Sequence, residues 1–107
     1  MFTHRSDATP VEMMPGVVRR TLSTSDDLML IDVVFEKGAV VPLHSHPHEQ
    51  IGYLISGRFL FELGDERREL VAGDSWLVPP NVPHQVTALE PSLAVDVFSP
   101  PREEYRT

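Results

Sequence analysis

Punctuation is what most narrows the choice of fold. Ten prolines and six glycines are spread through 107 residues so that no long, uninterrupted helical repeat emerges. Proline removes a backbone donor and glycine loosens the chain, so both work against helices. Between them lie short runs rich in β-branched and aromatic residues. Residues 17–22, 28–35, 50–55, 58–63, 69–71, 75–78, 84–88 and 93–98 read as strands. The connecting stretches EKG, SG, LGDE, AGD, PPNVP and EPS are turn chemistry. The pattern predicts an all-β sandwich or barrel. The length fits one domain. Residues 1–15 lack periodicity and are expected to form an arm ahead of a domain spanning residues 16–107. The tail PPREEYRT has room for one helical turn.

Alternation assigns faces to the strands. In 58–63, Phe59, Phe61 and Leu63 share one face, and Arg58 and Glu62 share the other. In 28–35 both faces are apolar apart from Asp32, so both are expected to be buried. So short a chain has little of its own with which to cover the second face. A homodimer is therefore expected. With 41% hydrophobic residues there is material for one core, and a domain this small gains from a metal or a partner subunit.

A net charge of −7 with no basic cluster beyond two Arg-Arg pairs repels phosphate backbones, so no nucleic-acid partner is expected. The absence of cysteine excludes disulfides, thiolate metal sites and cysteine nucleophiles. No apolar run resembles a signal peptide or a membrane span, so a soluble cytoplasmic protein is the expectation.

His44–Gln50 reads HSHPHEQ, with three histidines at alternate positions. On an extended strand they share a face, and neutral imidazole is the commonest nitrogen ligand for transition metals. Pro47 bends the chain, so His48 need not point where His46 points. His84, in PPNVPHQ, is the only other histidine outside the arm; His4 reads as an arm residue. On spacing alone, a metal site and a solvated loop stand at even weight.

The spacing of the wider motifs resembles that of the cupins. In the first cupin motif a Gly is followed after five residues by His-x-His, then a Glu, then a Gly six residues on. Here Gly38 leads through AVVPL to His44 and His46, then PHE, Gln50, IGYLIS and Gly57. In the second motif Gly73 leads through DSWLV to Pro79, Pro80, Asn81, VP and His84. The resemblance implies a small single-domain β-barrel of jelly-roll type with one divalent metal at its mouth. It also implies His44, His46, Gln50 and His84 as ligands, with nickel, zinc, iron(II), cobalt or manganese as candidate ions. Three departures stand out. Gln50 occupies the place of the usual glutamate, while Glu49 comes one residue early and points the other way by alternation. Asn81 replaces a glycine, which a left-handed turn tolerates. Ala88 replaces a terminal asparagine. A carboxamide leaves the ion's full charge in place, which suits an anionic substrate. Histidine ligands must be neutral, so metal is expected to leave progressively below about pH 6.

The segment SLAVDVFSPPREEY puts Asp96 in the middle of an apolar strand. It is either an edge-strand charge that deters aggregation or a carboxylate aimed inward, with its pKa raised for acid–base work. Arg102 lies where it can return over the mouth and grip a carboxylate through two hydrogen bonds. Phe98 can stack on an apolar sugar face. Tyr53, near Gln50 in sequence, is a further candidate to bind substrate, against a packing role; Trp76 reads as core or rim. This ending is similar to that of the small cupins of pectin and alginate breakdown, which turn 4,5-unsaturated monouronates into linear keto acids. That resemblance implies Asp96 and Arg102 as catalytic residues, and Phe98 and Arg102 as substrate contacts. A small anionic sugar would then be the partner. An Fe(II)-dependent dioxygenase and a non-catalytic metal- or sugar-binding cupin are the other readings.

Overall fold

The computed structural model describes residues 1–107. Its ten strands are β1 Val11–Met14, β2 Val17–Thr24, β3 Met29–Phe35, β4 Val40–His44 and β5 Glu49–Ser56, followed by β6 Arg58–Leu63, β7 Glu66–Val71, β8 Ser75–Val78, β9 His84–Ala88 and β10 Ser92–Ser99. Short 3-10 turns cover Arg5–Asp7 and Glu103–Tyr105. No helix is long and apolar enough to cross a membrane. Strands pair antiparallel in two sheets, β1-β2-β3-β10-β5-β8 and β4-β9-β6-β7.

Every strand read from the sequence is present. Two more escaped that reading. Val11–Met14, assigned to the arm, pairs with β2 as an edge strand, with a register shift between Glu12 and Met14. Val40–His44 contains Pro42, a poor ladder residue. It survives because β4 is an edge strand and its ladder slips between Val41 and His44.

The inner faces of the two sheets share one core. Phe59 and Phe61 on β6 meet Phe35 on β3 and Trp76 on β8. The Phe35 and Phe59 rings meet edge-on at 4.8 Å, and Phe61 lies 5.2 Å from Trp76. Phe59 is 1% exposed, so its truncation to alanine removes about 3–5 kcal/mol. Along the inward rows the chemistry changes from one end to the other. β5 runs from Leu54 through Gly52 to Gln50, and β9 runs from Ala88 through Val86 to His84. The apolar end closes the core, and the polar end builds a site.

β3 shows how its second face is handled. Leu30 and Val34 are half-buried and Leu28 is exposed, but Asp32 is 3% exposed. Arg5, from the N-terminal segment, covers it with a 2.6 Å ion pair. The chain thus shields part of that face itself.

Candidate metal centre

His44 ends β4 and His84 begins β9, and the two are directly opposed in the ladder. Their rings therefore lie 4.2 Å apart. His46 sits in the loop after β4, its ring 4.9 Å from that of His84. The PPNVP turn ties this loop down, because the Asn81 amide donates to the His46 carbonyl at 2.7 Å. Asn81 holds a φ of 65°, the left-handed geometry expected where it replaces glycine. One nitrogen from each of His44, His46 and His84 falls within 4.8 Å of the other two.

The tautomers follow from the second nitrogens. Nδ1 of His44, His46 and His84 meets the carbonyls of Pro42, His48 and Val82 at 2.9, 3.0 and 2.9 Å. A carbonyl only accepts, so each Nδ1 carries a proton, and in the neutral ring Nε2 is then the nitrogen with the lone pair. Burial pushes the His84 pKa down to about 4 and also lowers that of His46, with Arg102 adding to both shifts. Neutral rings are thus favoured.

Gln50 adds an oxygen beside this cluster. Its Oε1 lies 3.1 Å from His46 Nε2. With the His46 proton on Nδ1, two lone pairs converge there, and a cation satisfies both. Four neutral N and O donors turned toward one point fit a divalent transition ion. The Gln50 amide is oriented from behind, because its Nε2 donates to Asp96 Oδ1 at 2.9 Å. Trp76 Nε1 donates to the same oxygen at 2.8 Å. Gly52 makes this crossing possible: a Cβ there would stand 2.1 Å from Trp76 Nε1 and 2.3 Å from Asp96 Oδ1.

Asp96 lies on β10, between β3 and β5, so the edge-strand reading does not hold. Desolvation raises its pKa to about 6, against the opposing hydrogen bonds from Gln50 and Trp76. Both of those bonds reach Oδ1, which leaves Oδ2 as the oxygen without a protein donor. Phe98 packs 5.7 Å from the His46 ring, and the Arg102 guanidinium lies 5.3 Å from the Phe98 ring. His44, Gln50, His84, Asp96, Phe98 and Arg102 all line one cavity.

Two sequence candidates stay outside the cavity. Tyr53 was expected to contact substrate, but β5 alternation turns it away from Gln50, and it is 48% exposed on the outer face. His48 meets His46 edge-on at 5.5 Å without joining the cluster, and Glu49 is exposed, as its phase predicts. Sequence reasoning missed the roles of Trp76 and Gly52. A buried indole N–H needs an acceptor, and a glycine inside a strand signals a close approach; both signals were available.

Comparison with known proteins identifies the family. The family described as cupin domain matches residues 31–98. The chain is 39% identical over 102 residues to the pectin degradation protein KdgF of Dickeya dadantii (strain 3937), covering 92% of this chain and 93% of that one. The structure of KdgF from Halomonas sp. superposes with a TM-score of 0.92 at 39% identity, covering 97% and 96% of the two chains. An RmlC-like cupin from Shewanella frigidimarina superposes at 0.93 with 32% identity, covering 97% and 94%. With its two antiparallel sheets and its histidine cluster between the two motifs, the chain belongs to the cupin family.

Proposed function

We propose that this protein is a metal-dependent isomerase that opens the ring of a 4,5-unsaturated monouronate to give a linear keto acid. The observation that carries the reading is the Gln50 side chain, which turns its oxygen to the histidine cluster and its N–H to a buried acid. Ligand set and acid–base group are thus parts of one hydrogen-bonded unit. Similarity to KdgF proteins along almost the whole chain supports the pathway.

His44, His46, Gln50 and His84 would hold the ion, which supplies Lewis-acid polarisation of a substrate oxygen. Arg102 binds the substrate carboxylate, and Phe98 offers an apolar face to the ring. Asp96 takes the proton from the anomeric hydroxyl as C1=O forms and the ring C–O bond breaks. The enolate left at C5 becomes a ketone when Asp96 returns that proton to C4. Atoms and electrons balance within the substrate, and no oxidant enters. A pKa of about 6 lets Asp96 both accept and donate near neutrality.

The test is loss of ultraviolet absorbance by an unsaturated galacturonate monomer under argon. We expect anaerobic turnover with a redox-inert ion, and a drop of about a hundred- to ten-thousand-fold in Asp96→Asn with metal content unchanged. Turnover that requires Fe(II) and consumes oxygen would make the protein a dioxygenase instead. Binding of the sugar without turnover would make it a binding module.

We also propose a homodimer through the outer face of the six-stranded sheet. Ile51, Tyr53 and Ile55 on β5 and Leu77 on β8 are each about half exposed, beside half-buried Val95 and Val97 on β10. Contiguous apolar surface of this kind favours a second copy, because a two-fold axis meets the patch with itself. Tyr53 belongs to this surface. Sedimentation should give a dimer at micromolar concentration, and Ile51→Lys should give a monomer. A monomeric wild type refutes the interface.

A further inference from the structure

After β10 the chain folds back across the cavity, and an inward-facing arginine holds its end. Arg19 lies on β2 in the same row as Val17 and Thr21 and is 3% exposed. Its Nη1 donates to the carbonyls of Tyr105 and Thr107 at 2.9 and 3.0 Å. The Thr21 hydroxyl donates to the same Tyr105 carbonyl. Two carbonyls of the last three residues are therefore tied to one buried guanidinium.

That tether fixes a ring. The Arg19 guanidinium lies over Tyr105, 4.7 Å from its centroid, and the Arg102 guanidinium lies 4.2 Å from the same centroid. Phe98 stands 5.9 Å from Tyr105 with the two rings at 73°. The Arg102 guanidinium occupies the corner between them, and its side chain is only 13% exposed. Its sole ion pair uses Nε, at 3.4 Å from the exposed Glu104. Nothing in the chain takes its two Nη groups. Aromatic faces cover the plane of a guanidinium and leave its N–H edge free for a planar anion.

We infer that Arg19 and Tyr105 are positioning residues for Arg102: Arg19 pins the tail, and Tyr105 with Phe98 holds the Nη edge toward the cavity as a carboxylate clamp. This inference rests on the reading of the cavity as an acidic-sugar site. It gives the last residues of the chain a part in substrate selection. Arg102 touches substrate, whereas Arg19 and Tyr105 act only through it.

Three variants of the metal-loaded enzyme test this. In Arg19→Gln, the Tyr105 and Arg106 amides should exchange with deuterium at least about tenfold faster than in wild type. Unchanged exchange overturns the pinning. Tyr105→Leu should raise KM for the unsaturated galacturonate about tenfold, with kcat and metal content close to wild type. Tyr105→Phe keeps the ring and should restore the wild-type KM. A Leu variant with wild-type KM, or a Phe variant as impaired as Leu, overturns the clamp; the Tyr105 pair stands even if Arg19→Gln fails to fold. Wild-type protein that leaves the uronate untouched removes both the substrate reading and the clamp, and the exchange arm alone then decides whether Arg19 pins the tail.

Discussion

Asp96→Asn removes one property of the site, the capacity to charge, while keeping its shape. The asparagine oxygen can still accept from Gln50 and Trp76, as Oδ1 of Asp96 does at 2.9 and 2.8 Å. Burial raises the Asp96 pKa from 3.8 to about 6. Between those values the folded chain keeps a proton that the unfolded chain has lost. Wild-type stability therefore falls as pH rises from about 4 to about 6, and stays lower above that. A shift of about two pKa units corresponds to about 3 kcal/mol. Asparagine does not ionise, so the variant escapes this loss. The measurement is urea unfolding of both proteins, stripped of metal with a chelator, at about pH 4 and about pH 8. Stripping matters, because a cation on Gln50 would favour the carboxylate and hide the effect. The wild-type-minus-variant difference should move by about 3 kcal/mol in favour of the variant at the higher pH. Histidine titration is common to both proteins and cancels. A difference that stays constant within about 0.5 kcal/mol would refute the claim that Asp96 is buried and strained by its charge.

Metal retention should extend further into acid than ordinary imidazoles allow. Burial lowers the pKa of both His46 and His84, the latter to about 4, so protons compete for their Nε2 atoms only below the usual histidine range. Metal content measured after dialysis should hold at about pH 6 and fall toward about pH 4; loss complete by about pH 6 would contradict it. Gly52→Ala drives a methyl group into Trp76 and Asp96 and should destabilise the fold by about 1–3 kcal/mol, with the tryptophan emission shifted. Unchanged emission and a wild-type Tm would show that the strand yields freely.

The histidine cluster was readable because its residues lie in two compact motifs with fixed spacing, one on each side of a ladder that pairs His44 with His84. Asp96 was readable as an anomaly, a charge in an apolar row. Its burial was not settled, because alternation gives a face but not whether a strand is central or at an edge. Tyr53 failed for a related reason: closeness in sequence to Gln50 was set against strand phase, and phase governs direction. β4 was hidden by Pro42, which reads as a breaker unless the strand is known to lie at an edge. Arg19 was out of reach. Nothing local in VVRRTL announces that one arginine will be buried under a segment more than eighty residues away.

The three backbone carbonyls that accept from the Nδ1 atoms bear on how a metal centre at this histidine cluster would take up an ion. Each carbonyl belongs to a residue two positions from the histidine it serves. Ring orientation and tautomer are therefore written into the local backbone as the chain folds, ahead of any encounter with a cation. Little of the binding energy then goes into arranging the donors. Folding and metallation become separable events. An ion entering such a cluster would meet donors already arranged, and its identity would follow from what the surroundings supply.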